Sequence, residues 1–411
     1  MNRRYLAISQ YLSFFLIIIF VLLFGLITNN YAKNVRGVTD TTIKLGVIGD
    51  LTGPAASVWK PIAEGVRMYY RYINDQGGIH DRKIKYFLED DRYSIPMALA
   101  AFKKLVFRDE VLSLTPGASG AGHTHALIPL CEKHKIPLSA ATNNKDFFQP
   151  VRKYIFTTLP FYSDQIELIL DYLMIDRKIK RPRIALAYPD SAAGKDVRDS
   201  TKEEMKARGI KIIDEVIIPM MGGDCTSQVL TLKRKNPKFI IMYGVIGNTV
   251  SLLRDGMKLG FSPTIFVTQY GCVDDTVKIA GNAAKNMMGA NGFGSWHDQS
   301  TAMIKLRKIT LGYTPGSGSR NRNYMQGWLM AMIAVEGIRN AGKNLNASSL
   351  IKGLEMIKGY DTQGICGIVN YGPEDHKAVD YHRIYKADVV KKIVVPITGW
   401  RQAPKAKVAS R

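Results

Sequence analysis

Ile43-Lys44-Leu45-Gly46-Val47-Ile48 is a short apolar run rich in β-branched residues, and the helical stretch after it, residues 62–74, repeats Ile62, Val66, Tyr69, Tyr70 and Ile73 on one face. A strand that feeds a helix pairs with a parallel strand only by crossing over the sheet. Whether this unit recurs therefore decides the fold, and it does recur. Residues 83–89, 111–115 and 136–141 read as strands, and 96–107 and 126–134 as helices. The rhythm then restarts, with helices at 163–173, 197–208, 226–235 and 249–259 and strands at 183–188, 211–218, 239–243 and 264–268. Two series of similar size predict an α/β protein of two parallel sheets, each covered on both faces. Further helices follow at 302–309 and 324–340, and residues 364–392 close the chain as a β-rich meander. Open parallel sheets bind ligands beyond the carboxyl ends of their strands, so the informative loops follow residues 48, 115, 141, 188, 243 and 268.

Upstream of this pattern, residues 11–27 (YLSFFLIIIFVLLFGLI) form an apolar run behind Arg3 and Arg4. The run has signal-peptide form, with Ala32 where cleavage would fall, so residues 1–32 are expected to be a leader or an uncleaved anchor. The rest of the chain is expected to work outside the cytoplasm. No cysteine stands at the end of the run, the first being Cys131, which excludes a lipid-anchored N-terminus. Removing about 32 residues leaves about 380, enough for two lobes.

Fifty-seven Lys and Arg against 35 Asp and Glu give a net charge of +22. The excess lies in short scattered clusters such as Lys178-Ile179-Lys180-Arg181 and Lys233-Arg234-Lys235, without the aromatic interleaving of a nucleic-acid surface. No nucleic-acid partner is expected, and the charge serves solubility and attraction to anionic surfaces or solutes. Cys131, Cys225, Cys272 and Cys366 are too dispersed for a zinc ribbon or a redox pair and read as free buried thiols. No cofactor is expected.

The stretches IKLGVIGDLTGPAA (43–56), INDQGGI (73–79), EDDRYSIPMALAAFKKLV (89–106), RPRIALAYPDSAAGKD (181–196), SQVLTLKRKNPKFIIMYG (227–244), RDGMKLGF (254–261) and NYGPEDHKAVDYHRIYK (370–386) carry an ordered resemblance. Together they resemble the leucine/isoleucine/valine-binding family of periplasmic solute receptors, type I binding proteins that feed ABC importers. The resemblance implies two Rossmann-like lobes joined by three crossover strands, a clamshell that closes on one small-molecule solute. It places lobe I at 41–157 with 289–362, lobe II at 158–288 with 363–400, a basic tail at 401–411, and crossovers near 154–160, 287–294 and 359–372. A monomer that docks on a membrane permease is expected.

The glycine-rich loop Gly117-Ala118-Ser119-Gly120-Ala121-Gly122 follows a strand and opens a helix, where outward N–H groups favour a carboxylate. The resemblance puts the ligand's carboxylate here, at Ser119 and Gly120, and assigns further contacts to Thr142, Asn143 and Asn144. Val58 and Trp59, Phe161 and Tyr162 would add an apolar, aromatic wall with Tyr270. The chain departs from the family where a tyrosine is common before glycine, since Ala192-Ala193-Gly194 stands there, and at Val245, which replaces a second tyrosine. Tyr270 occupies the place of the glutamate that holds a ligand ammonium. A buried ammonium needs an anionic partner, so a ligand without one is implied. Asp274 and Asp275 are the carboxylates that a shift in the alignment would bring to that role. Asp50, Asp90 and Asp91 are expected to cap helices or bind hinge arginines.

Two rival classes are weaker. Gly117 to Ala121 approaches a nucleophile elbow but lacks its final glycine, and His123 and His125 are too near in sequence for a hydrolase triad. A metal site from His123, His125, Cys131 and His134 fails because residues two apart on a helix point opposite ways, leaving ordinary surface histidines. If residues 11–27 stayed as an anchor, the same clamshell would be a tethered sensor, a reading disfavoured because no output domain follows by Arg411.

Overall fold

The structure is a computed structural model, and it describes residues 35–402. The apolar run 11–27 and all but the start of the basic tail lie outside the described residues. Within the compact unit that begins at Arg36, the first series comprises β1 (Thr42–Gly49), α1 (Ala56–Asp75), β2 (Lys83–Asp90), α2 (Ile95–Lys103), β3 (Ser113–Gly117), α3 (Ala121–His134), β4 (Leu138–Ala140) and β5 (Ile155–Thr157). The second runs through α4 (Tyr162–Asp171), β6 (Ile184–Tyr188), α5 (Ala192–Ala207), β7 (Ile212–Ile217), α6 (Thr226–Lys235), β8 (Phe239–Met242), α7 (Ile246–Lys258), β9 (Thr264–Val267), α8 (Asp274–Ala280) and β10 (Met287–Asn291). Helices α9 (Thr301–Tyr313), α10 (Arg322–Ala341) and α11 (Ala347–Glu355) follow, then β11 (Tyr381–Asp388), β12 (Ile393–Pro396) and β13 (Arg401–Gln402).

The first sheet is all parallel in the order β2-β1-β3-β4-β5. In the second, β7-β6-β8-β9-β10 repeats that order in parallel, and β11 and β12 extend it antiparallel. Each sheet thus reverses direction once, between β1 and β3 and between β6 and β8. Such a reversal splays the two adjacent loops apart and opens a crevice at the carboxyl ends. The central strands are buried on both faces, with all five residues of β3 and of β6 buried, whereas the edge strands β2 and β7 are partly exposed.

Several elements differ in extent from the sequence expectation. The helix expected at 96–107 starts at Ile95 and ends in a π turn over Lys104–Arg108, and the one at 163–173 ends likewise over Tyr172–Asp176. Helices α8 and α11 were not foreseen, being too short to show a period. The third passage between sheets falls later than 359–372. Tyr360 and Val379 both pair with Val369, Lys377 pairs with Thr157 of the first sheet, and the chain then enters β11 of the second.

Helix α10 packs along α1 through two bare glycines. A Cβ on Gly65 would lie 2.2 Å from the Tyr324 carbonyl oxygen, and one on Gly327 only 2.0 Å from that of Ile62. Backbone cannot yield as a flexible side chain does. Gly327→Ala is therefore expected to destabilise the protein by about 1–3 kcal/mol. Gly312→Ala, in α9 with open space around it, is expected to stabilise by about 0.4–1 kcal/mol through the unfolded chain. Urea denaturation of the two variants checks the contrast.

Candidate functional site

The two crevices face each other. Loops after β1 and β3 on one side, and after β6 and β8 on the other, line a cleft whose empty space, open mouth included, is about 530 Å³. Trp59 and Gly120 come from the first pair of loops, Ala193 and Tyr243 from the second, with Ala141 beyond β4 and Tyr270 beyond β9. Helices α3 and α5 begin at residues that line it, Gly120 to Gly122 and Ser191 to Ala193, so N–H groups without intrahelical partners face the cleft. No charged side chain lines it among the described residues.

Of the residues singled out from sequence, Val58, Trp59, Ser119, Gly120, Thr142, Tyr162, Val245 and Tyr270 all line this one cleft. Asn143 and Asn144 do not. Asn143 joins the lobes from behind, its amide donating to the Pro160 carbonyl and its oxygen accepting from Gln269 Nε2 at 3.4 Å. Asn144 Oδ1 accepts the Thr142 hydroxyl at 2.7 Å and so buttresses the strand end. Phe161 turns away from the cleft and stacks on Phe148 in the lobe I core.

Ser119 is not the free donor that the loop suggested. Its hydroxyl donates to Asp91 Oδ1 and its amide to Asp91 Oδ2 at 3.2 Å, while the Tyr93 amide donates to Oδ1 at 3.0 Å. Asp91 is 0% exposed; burial raises its pKa, opposed by these hydrogen bonds and by the nearby His123. The Ser119 carbonyl in turn accepts Trp59 Nε1–H at 2.9 Å, fixing the indole as cleft wall. Asp50 accepts the Gly53 and Ala55 amides of the loop that leads into α1, and Asp90 accepts from Leu51 and Thr52. All three aspartates thus hold loop amides and hydroxyls rather than cap a helix or bind a hinge arginine, the roles expected from sequence.

Tyr270 reaches across from lobe II and donates its hydroxyl to the Ala141 carbonyl of lobe I at 3.3 Å. Burial pushes its pKa up to about 12, so it stays a neutral donor at physiological pH. Neither Asp274 nor Asp275 restores a cleft carboxylate. Asp274 accepts the Val394 amide at 2.9 Å and faces Arg322 at 3.7 Å, and Asp275 accepts from Asn321 at 2.7 Å.

Three residues escaped the sequence reading. Tyr243, the last residue of the expected strand 239–243, lines the cleft edge-on to Tyr162 with centroids 5.5 Å apart. It supplies the aromatic that Val245 lacks, so the cleft is less roomy than two lost tyrosines would make it. Tyr93 lines the cleft beside Gly120. His123 is not an ordinary surface histidine but is 5% exposed. The signal for Tyr243 was its place at a strand end; none marked Tyr93.

A family model described as periplasmic binding protein matches residues 42–392. The chain is 25% identical over 202 residues to a Leu/Ile/Val-binding protein, BraC3, of Rhizobium johnstonii, a match that covers 49% of this chain and 53% of that relative. It therefore spans about half the length of that relative. Among solved structures, a branched chain amino acid ABC transporter protein from Thermus thermophilus with bound valine superposes with a TM-score of 0.82 at 22% identity, covering 89% of this chain and 98% of the other. A fatty acid ABC transporter substrate-binding protein from Thermomonospora curvata gives 0.78 at 21%, covering 90% and 95%. These likenesses establish the fold, including its type I clamshell architecture.

Because the Ser119 hydroxyl serves a buried carboxylate, Ser119→Ala is expected to cost about 1.5–3 kcal/mol of folding stability, the worth of a hydrogen bond to a charged group. Urea denaturation without any solute measures it; an unchanged midpoint contradicts the Asp91 contact.

Proposed function

The chain belongs to the periplasmic binding protein family, and from that premise we propose that it is the receptor of an ABC importer, closing its lobes on one small acid or amide that lacks an ammonium group. Family membership makes it a solute-binding protein rather than an enzyme, with an extracytoplasmic place of work. Among the described residues no helix is long and apolar enough to cross a membrane. The relatives are named for branched-chain amino acids and, in one neighbour, for a fatty acid, and the choice between such classes turns on the ammonium group.

One observation carries the choice. An ammonium needs acceptors, and this cleft offers few: no carboxylate lines it, and the Ala141 carbonyl is already engaged by Tyr270. Donors are plentiful, since the first amides of α3 and α5 lack intrahelical partners and three further tyrosines line the wall. A solute rich in acceptors and apolar in its body satisfies such a surface. Four tyrosines and Trp59 give it flat faces to pack on. Val58, Gly120, Thr142, Tyr162 and Val245 are proposed contacts, with Ser119 shaping the loop rather than holding the solute by its hydroxyl. Closure would then shift the population toward the form that a permease distinguishes from the open one.

A thermal-shift screen of branched and aromatic carboxylates, their 2-oxo analogues and amides against leucine, isoleucine and valine tests the reading. A ligand at 100 times its Kd adds about 2.7 kcal/mol of stability. The largest shifts are expected from compounds without an ammonium group. Largest shifts from the three amino acids, with none from the acids and amides, would return the cleft to plain amino-acid binding.

A further inference from the structure

Two helix starts from different lobes meet outside the cleft. Helix α10 packs along α1, which carries Val58 and Trp59 on the lobe I wall. Helix α8 begins four residues after Tyr270 of the lobe II wall. Where the two meet, the Asn321 amide group donates to Asp275 at 2.7 Å, while its oxygen caps α10 by accepting the Asn323 and Tyr324 amides at 3.1 and 3.4 Å. Arg322 is 2% exposed. Its Nη1 faces Asp274 at 3.7 Å, its Nη2 donates to the Val394 carbonyl at 3.4 Å, and its guanidinium carbon lies 3.9 Å from the centre of the Tyr385 ring. Neither Nε nor Nη1 has a hydrogen-bond partner among the described residues. Asp274 is buried too; it accepts the Val394 amide and faces His297 at 3.6 Å. One turn further along α10, Gln326 lies close enough to the Tyr270 hydroxyl to oppose the rise that burial causes in its pKa.

We propose that Arg322 and Asn321 are positioning residues for the solute: by fixing the loop between β9 and α8 to α10, they set where Tyr270 stands against Trp59 when the lobes close. This rests on the receptor reading but not on the solute class. A buried guanidinium is costly to desolvate, and here it joins elements of two lobes rather than filling the core of one. Asp274 and Asp275 stand in the first turn of α8, where the helix dipole favours them, so the α8 start is a fixed handle on the loop before it. That loop transmits the hold. The Gly271 and Cys272 amides both return to the Thr268 carbonyl, at 3.1 and 3.2 Å, and a Cβ on Gly271 would lie 2.4 Å from Val267. Tyr270 therefore follows α8. At the cleft its hydroxyl meets the Ala141 carbonyl of lobe I, so the same loop touches lobe I at both ends. The unspent donors of Arg322 let closure tighten the junction, since an approach of roughly half an ångström brings Nη1 within hydrogen-bond distance of Asp274.

Calorimetry on the full chain with 4-methylpentanoate, phenylacetate and leucine tests this through a double-mutant cycle, run with whichever probe binds. Arg322→Lys keeps the charge but not the planar fork, and is expected to weaken affinity about tenfold, within the worth of one charge-assisted hydrogen bond. Asn321→Ser keeps the N-cap and loses the donor to Asp275, and is expected to weaken it about threefold. In a Tyr270→Ala background both losses are expected to shrink to about twofold or less, because the side chain being placed is gone. A merely structural role would weaken binding by the same factor in either background. Equal losses in the two backgrounds, or no loss in either single variant, overturn the positioning role. Asn321→Ser decides the matter alone should Arg322→Lys fail to fold. If leucine binds and the two acids do not, the solute class falls while the cycle with leucine still tests the positioning. If none of the three binds, the receptor reading falls and the positioning role with it.

Discussion

Helix N-termini are the constraint on which this cleft is built. A right-handed crossover from a parallel strand leaves the next helix pointing its unpaired amides at the carboxyl edge of the sheet, and two sheets with the same strand order bring two such edges together. The chain neutralises part of that positive field internally. Asp50 accepts the Ala55 amide just before α1, Asp164 accepts the Phe161 amide at the start of α4, and Asp91 ties down the loop before α3. The amides that remain, at the start of α3 and α5, face the space between the lobes. The cleft is thus polar through its backbone and apolar through its side chains.

The same economy explains why a chain with a net charge of +22 presents no charged side chain to the cleft. Desolvated charge needs a partner at every step of opening and closing, whereas helix dipoles are preorganised. Ion pairs instead stand where the lobes join. Lys377, in the third passage, bonds Asp164 of α4 at 2.9 Å and Asp380 at 2.8 Å, with its ammonium over the Phe161 ring. Its pKa is raised because these carboxylates outweigh the cost of burial. The hinge therefore carries buried charge and the cleft does not.

The sequence made the two sheets legible because central strands buried on both faces read as short continuous apolar runs, whereas helices buried on one face show a period of 3.6. What it concealed were elements too short to have a period, such as α8 with its seven residues. The candidate cleft was legible in position, since strand ends mark the loops, and eight of the ten chosen residues line it. Roles were harder to read. Whether Ser119 can serve a solute depends on Asp91, 28 residues away, and whether Ala141 can accept an ammonium depends on Tyr270, 129 residues away. Hydrogen-bond partnership is a property of the fold, and no local spacing encodes it.

The central claim is that the lobes close on a solute without an ammonium group, its polar end at the α3 N-terminus and its apolar body among the tyrosines. A crystal structure of the protein with the most stabilising carboxylate of the screen tests this most directly. The account predicts the carboxylate within hydrogen-bond distance of the amides of residues 120–122, and the hydrocarbon between Trp59 and Tyr162. A solute bound outside this cleft, or one whose carboxylate turns to lobe II while its body meets Gly120, would contradict it.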